Sequence, residues 1–171
     1  MMDLRSKWQK TAYLGFFLAV AMICSYVETL IPFHFGIPGV KLGLTNIVVI
    51  LVLYLLGAKE AFLVSMLRIL LTGLLFGNIF SIVYSLSGGI LSFLVMLLLK
   101  KTNRLGCVSV STAGGISHNV GQLLAACIMV RDFHIMFYIP VLLIAGLFTG
   151  FLIGLLGQEL IFRLEEPLKK N

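Results

Sequence analysis

The chain alternates long apolar runs with short polar or glycine- and proline-rich breaks. Run lengths and breakers predict six helices: 9–31, stopping at Pro32; 44–56, ending at Gly57; 59–75, ending near Gly77 and Asn78; 78–99; 108–130; and 136–163. The second is short. At ~1.5 Å per residue it spans about 20 Å, less than the ~30 Å hydrocarbon core of a bilayer. It is either tilted into protein or continued by irregular backbone. The stretch that leads into it, PFHFGIPGVKLGLTN, holds three glycines and two prolines and reads as a folded loop over a site. Non-helical chain at membrane depth is tolerated only where protein buries it or it lines a cavity.

Polar positions inside the runs are patterned too. Residues 105–130 form a 26-residue run without a charge, yet its middle reads GGISHNVGQ. On a 3.6-residue wheel, Ser111, Gly114, Gly115, His118, Asn119, Gln122, Ala125 and Ala126 share one face. Ile116, Val120, Leu123, Leu124 and Cys127 share the other, so the expected arrangement is small and polar inward, apolar to lipid. The third run places Ala61, Ser65, Arg68 and Thr72 on one face. Arg68 is the sole charge between Glu60 and Lys100. Arg68 and His118 each lie about nine or ten residues into their helices, which sets both near the bilayer midplane. The fourth run adds Ser81, Tyr84, Ser85, Gly88 and Ser92 on one side.

An arginine at that depth costs about 2.5–3.5 kcal/mol on insertion scales and must face the bundle and find acceptors. Asn119, Gln122 and backbone carbonyls are candidates. These polar groups either hold helices together or line a ligand cavity. A second set lies toward the opposite mouth: Glu28, Lys41, Asn46, Asn78 and Arg131. Lys41 and Arg131 are basic, so an anionic ligand head could use them. The substrate-binding candidates are therefore Lys41, Asn46, Arg68, Asn78, Tyr84, His118, Asn119 and Gln122.

Composition fixes the class. Of 171 residues, 60% are hydrophobic and 12% are charged, about half the usual ~25%, with a mean hydropathy of +1.08. The expectation is an all-α polytopic membrane protein, a single integral membrane domain over 1–171, with no soluble domain beside it. The net charge of +6 follows topology, not nucleic acid. Arg5, Lys7, Lys10, Lys59, Lys100, Lys101, Arg104, Arg163, Lys169 and Lys170 fall on one side of a six-span arrangement, and Lys41 and Arg131 on the other. The positive-inside rule puts both termini on the cytoplasmic side of the membrane. The first run continues past a signal-peptide length and reads as an uncleaved helix. Cys24, Cys107 and Cys127 show neither disulfide nor metal spacing.

No phosphate-binding GxxxxGK[ST] loop is present. There is also no aspartate cluster of the kind that holds magnesium against a diphosphate. No catalytic residue, metal or cofactor is assigned, and the chain is not expected to be an enzyme by itself. Small residues recur at four-residue spacing in Gly146, Gly150 and Gly154, and in Gly15 and Ala19. Such spacing allows close helix approach, within the chain or to another membrane subunit.

Three segments in order, GVKLGLTNIVVILVLYLLGAKEAFLVSMLRILLTGLLFGN, SLSGGILSFLVMLLLKK and GGISHNVGQLLAA, resemble the bacterial Gx transporter family, also labelled heptaprenyl diphosphate synthase component I. The resemblance covers almost the whole chain. The family in turn is similar to the substrate-binding S components of energy-coupling factor (ECF) transporters. That likeness implies a six-helix transmembrane bundle with both termini inside and a binding site in the outer half. It also implies docking through the Gly15 and Ala19 face, to a transmembrane coupling subunit with two ATPases. Arg68 at the midplane and a helix 1 motif that begins with glycine depart from that pattern. The expectation is a membrane substrate-binding and translocation subunit for a small molecule, anionic or isoprenoid- or quinone-related. The alternatives are an accessory component of heptaprenyl diphosphate or menaquinone synthesis, and a self-sufficient carrier using His118.

Overall fold

The computed structural model describes residues 7–30 and 43–170. Six α-helices account for nearly all of them: α1 (Lys7–Leu30), α2 (Leu44–Leu55), α3 (Ala58–Phe76), α4 (Ile79–Lys101), α5 (Cys107–Val130) and α6 (Ile139–Lys170), with a 3-10 turn over Phe133–Tyr138 before α6. No strand occurs among the described residues. The predicted boundaries hold within about three residues except in the last helix. There Asp132 caps the 3-10 turn by accepting from the His134 N–H at 2.9 Å, and α6 begins only at Ile139, with Pro140 in its first turn, where a missing N–H is harmless. At its far end α6 runs past Arg163, whose Nε donates to Glu159 Oε1 at 2.6 Å.

Two glycines set the flanks of α2. Gly43 precedes it at φ 70° and Gly57 follows at φ 128°. Both lie in the region that favours glycine, and Gly57 lets the chain turn directly into α3. Between them α2 is buried almost all round, with Val48, Ile50, Val52 and Leu53 at its centre. A helix that is apolar on every side belongs inside. Here α2 packs on α1, α3 and α6 and grazes α5, while α3, α4, α5 and α6 follow one another around it.

The main apolar cluster joins Phe17 and Ala21 of α1, the length of α2 from Val48, Ala61 and Val64 of α3, Phe93 and Met96 of α4, and Cys107 and Val110 of α5. It occupies the end of the bundle where the basic residues gather. There Lys10 pairs with Glu60, and Lys100 donates to the Leu53 carbonyl with its ammonium 4.5 Å over the Tyr54 ring. These contacts hold the starts of α1 and α3 level with the ends of α2 and α4.

The exterior is apolar. Leu74, Ile79, Phe80, Ile144, Phe148 and Phe162 are exposed, while Ser25, Thr45, Ser92, Ser111, Ser117 and Gln122 are buried. Among the described residues, four segments are long and apolar enough to cross a membrane: Trp8–Glu28, Ile79–Lys101, Cys107–Val130 and Phe133–Glu165. At 19 residues α3 has comparable length but carries Lys59, Glu60 and Arg68.

The glycines of α5 and α6 meet backbone to backbone. A Cβ on Gly115 would lie 2.4 Å from the Gly146 carbonyl oxygen and 3.0 Å from Gly150 Cα, and one on Gly154 would lie 2.8 Å from Val108 Cα. On the opposite side of α5, a Cβ on Gly121 would lie 2.7 Å from the Ser87 carbonyl oxygen of α4. The Gly146-x-x-x-Gly150-x-x-x-Gly154 motif therefore packs within the chain. The expected apolar outward side of α5 is met at Leu124, which is exposed, and corrected at two residues beside α6. Leu123 and Cys127, assigned to lipid, are buried with Leu142 in a second apolar cluster. A helical wheel resolves one interface, whereas α5 has two.

Candidate functional site

Because α2 is only 12 residues long, about 18 Å, it fills one end of the bundle and stops short of the other. The interior next to its N-terminus stays open. A small polar chamber lies there, lined by Glu28 of α1, Gly43, Thr45 and Asn46 at the start of α2, Arg68 of α3, Ser85 of α4, Gly115, His118, Asn119 and Gln122 of α5, and Thr149 of α6. A side chamber shares Glu28, Arg68 and Ser85 and continues between α1, α3 and α4 past Ser25, Thr72 and Ser81. A smaller space extends from Asn46 and Thr149 between α4, α5 and α6.

Each helix brings its polar side chains inward for a local reason. Ser92 Oγ donates to the Gly114 carbonyl at 2.8 Å, and Ser87 Oγ to the Gly121 carbonyl at 2.5 Å. These bonds fix the register of α4 on α5 and set Ser85 beside His118 and Gln122. Asn119 Nδ2 donates to the Leu142 carbonyl of α6 at 2.8 Å. Half of that amide therefore joins two helices, leaving Oδ1 to the chamber.

Glu28 anchors the mouth. Its Oε1 accepts from the Leu44 N–H at 2.6 Å and its Oε2 from the Thr45 hydroxyl at 3.1 Å. Thr45 Oγ1 also lies 3.1 Å from Ser25 Oγ. A carboxylate from α1 thus satisfies a free N–H at the start of α2, where the helix dipole favours negative charge.

Arg68 has no such commitment. Its field is felt by Glu28, but no ion pair joins them, and the guanidinium makes no hydrogen bond within the described chain. Its Nε is buried without a partner. Gln122 is 3% exposed, and its amide makes no hydrogen bond among the described residues. The chamber therefore presents uncommitted groups, among them a cation, Arg68, and an amide able both to donate and to accept, Gln122.

Five of the eight binding candidates converge here: Asn46, Arg68, His118, Asn119 and Gln122. The expectation that Asn119 or Gln122 accepts from Arg68 is not met. Asn78 lies elsewhere, exposed at the start of α4, where its Oδ1 accepts from the Ser81 N–H at 2.8 Å. Tyr84 is half-buried on α4 and does not line the chamber. Lys41 lies outside the described residues. On α1, Gly15 and Ala19 are exposed, and a Cβ on Gly15 would meet nothing within 4 Å. Thr45 and Thr149 line the chamber without having been singled out. Thr45 sits beside Asn46, and Thr149 lies inside the Gly146/Gly150 motif, where helix packing was the stronger signal.

The family model for heptaprenyl diphosphate synthase component I matches residues 17–160. The chain belongs to this family. No curated protein and no solved structure matches it. The matched region of the heptaprenyl diphosphate synthase component I family runs from α1 into α6 and so contains every described residue that lines the chamber. The family's name points to a diphosphate. Yet the chamber offers one carboxylate among its described lining residues, Glu28, and both its oxygens already accept hydrogen bonds.

Proposed function

We propose that this chain is a membrane-embedded binding and translocation subunit for a small polar molecule. It crosses the membrane as one six-helix domain with both termini cytoplasmic, and a separate subunit carrying ATPases energises it. The observation that carries the reading is the polar chamber at the heart of an apolar-surfaced bundle, with Arg68 and Gln122 uncommitted inside it. Structural glue alone would leave such groups paired. A lining rich in Ser, Thr, Asn, Gln and His suits a hydrophilic molecule and rejects a prenyl chain, which needs an apolar tunnel.

The six-span arrangement draws support from α3, whose 19 residues measure about 28 Å, and from the clustering of Lys10, Lys59 and Lys100 at one end of the bundle. With no phosphate-binding loop for nucleotide, energy comes from a partner. The exposed Gly15 and Ala19 face of α1 is the surface offered to it.

The family's name favours a second reading, an accessory membrane component of prenyl diphosphate synthesis. Mass spectrometry of everything that co-purifies with the full chain in mild detergent separates the two. Membrane and ATPase subunits together with a small hydrophilic compound are expected. A soluble prenyl transferase or a bound isoprenoid in their place would overturn the transport reading.

A further inference from the structure

We propose that the chamber recognises a small organic monocarboxylate, held at its charged end by Arg68 and along a hydrogen-bonding body by Gln122. The inference rests on the binding reading above and names the class of molecule bound.

Three observations lead there. Arg68 carries a permanent charge on a planar fork of five donors, a geometry that matches a carboxylate in bidentate fashion. None of those donors is taken within the described chain, and Nε is sealed from solvent. An arginine at this depth needs acceptors, and an anion is the strongest of them. The resident anion, Glu28, is turned to the start of α2, where the Leu44 N–H and the Thr45 hydroxyl occupy its two oxygens.

Glu28 nonetheless shares the chamber, and that sets the charge of the guest. Arg68 and Glu28 offset each other. An incoming monoanion leaves one negative charge in excess, whereas a phosphate dianion leaves two. In an interior of low effective dielectric the second charge is strongly disfavoured. The singly charged carboxylate is therefore the better match. Gln122, 3% exposed and lining the same space, offers a donor and an acceptor a short distance away. The remainder of the molecule thus bears hydroxyl, amide or amine groups and not an alkyl chain.

The test uses the full chain in lipid nanodiscs with 15N-labelled arginine. There are five arginines, and Arg68→Lys assigns the Arg68 side-chain resonance. Sodium propionate, its neutral isostere propionamide, and inorganic phosphate are titrated at constant ionic strength with sodium chloride. Propionate is expected to shift the Arg68 Nε–H signal saturably. Propionamide should bind at least about tenfold more weakly, and phosphate no more tightly than propionate, tenfold being about 1.4 kcal/mol.

Equal effects of propionate and propionamide would overturn the carboxylate assignment, as would phosphate binding tenfold more tightly. No saturable shift with any probe would make Arg68 a structural counter-charge to Glu28. In each case the co-purification experiment judges the transport reading separately. A hydrophilic neutral compound found there would keep that reading while the carboxylate class falls. If Arg68→Lys folds poorly, single lysine replacements of Arg5, Arg104, Arg131 and Arg163 assign Arg68 by elimination, so the titration still reads.

Discussion

Replacing Gly115 with alanine adds one methyl group at the closest backbone approach among the described glycines. The new Cβ would lie 2.4 Å from the Gly146 carbonyl oxygen, 3.0 Å from Gly150 Cα and 3.2 Å from Gly150 N. All three are backbone atoms of α6 and cannot rotate away. Restoring ordinary contact at about 3.4 Å requires α5 and α6 to part by roughly 1 Å. The Asn119–Leu142 hydrogen bond lies one turn further along the same interface at 2.8 Å. The same displacement would carry it beyond hydrogen-bonding range.

Overpacking costs about 1–3 kcal/mol, and a lost interhelical bond adds about 0.6 kcal/mol. For a chain of this size that lowers Tm by on the order of 5 °C. Gly15→Ala is the control. The same methyl group on exposed α1 meets nothing within 4 Å, and helix propensity favours alanine by up to ~1 kcal/mol. Thermal melts of both variants in one detergent provide the measurement. If Gly115→Ala melts with wild type, or if Gly15→Ala falls as far, the α5–α6 clasp is wrong.

The two amides of α5 should separate. Asn119→Ala loses a bond to α6 and should melt slightly lower, whereas Gln122→Ala loses no protein hydrogen bond and should keep its Tm while small-molecule binding disappears. Glu28→Gln exchanges the charge at the start of α2 for a neutral amide, removing about 0.3–1 kcal/mol of dipole and hydrogen-bond stabilisation. Faster hydrogen exchange at the Leu44 and Thr45 amides is the expected sign. The Asp132 carboxyl is held below the usual carboxylate range by hydrogen bonds from the His134 backbone and ring. A lowered folded value means that its cap on the 3-10 turn is present above the ordinary carboxylate pKa of about 3.9 and is lost as pH falls through the lower folded value. Protection of the His134 amide, its exchange measured relative to the intrinsic rate at each pH, should fall in that acid window and should stay constant there in Asp132→Asn.

The six helices were legible because their punctuation is local: Gly57 between α2 and α3, Asn78 before α4, and Gly106 before α5. The inward polar face of α5 was legible because 3.6-residue spacing sorts His118, Asn119 and Gln122 together. Their meeting with Arg68 followed from equal depth. Other features depend on partners that sequence spacing does not reveal. Leu123 and Cys127 are covered by Leu142 of a different helix, so they were read as lipid-facing. Glu28 was noticed as a charge at the mouth, yet its role depends on the Leu44 N–H, 16 residues away. Asn78 is the reverse case. An asparagine directly before an apolar run is an N-cap signal, and that local reading describes its observed bond better than ligand binding does.

Native mass spectrometry of the full chain, released from mild detergent as wild type and as Gln122→Ala, tests the binding chamber most directly. The account predicts one small hydrophilic adduct per wild-type chain and none on Gln122→Ala, with both proteins melting alike. A wild-type chain that carries no adduct, or an adduct retained in full by Gln122→Ala, would contradict it.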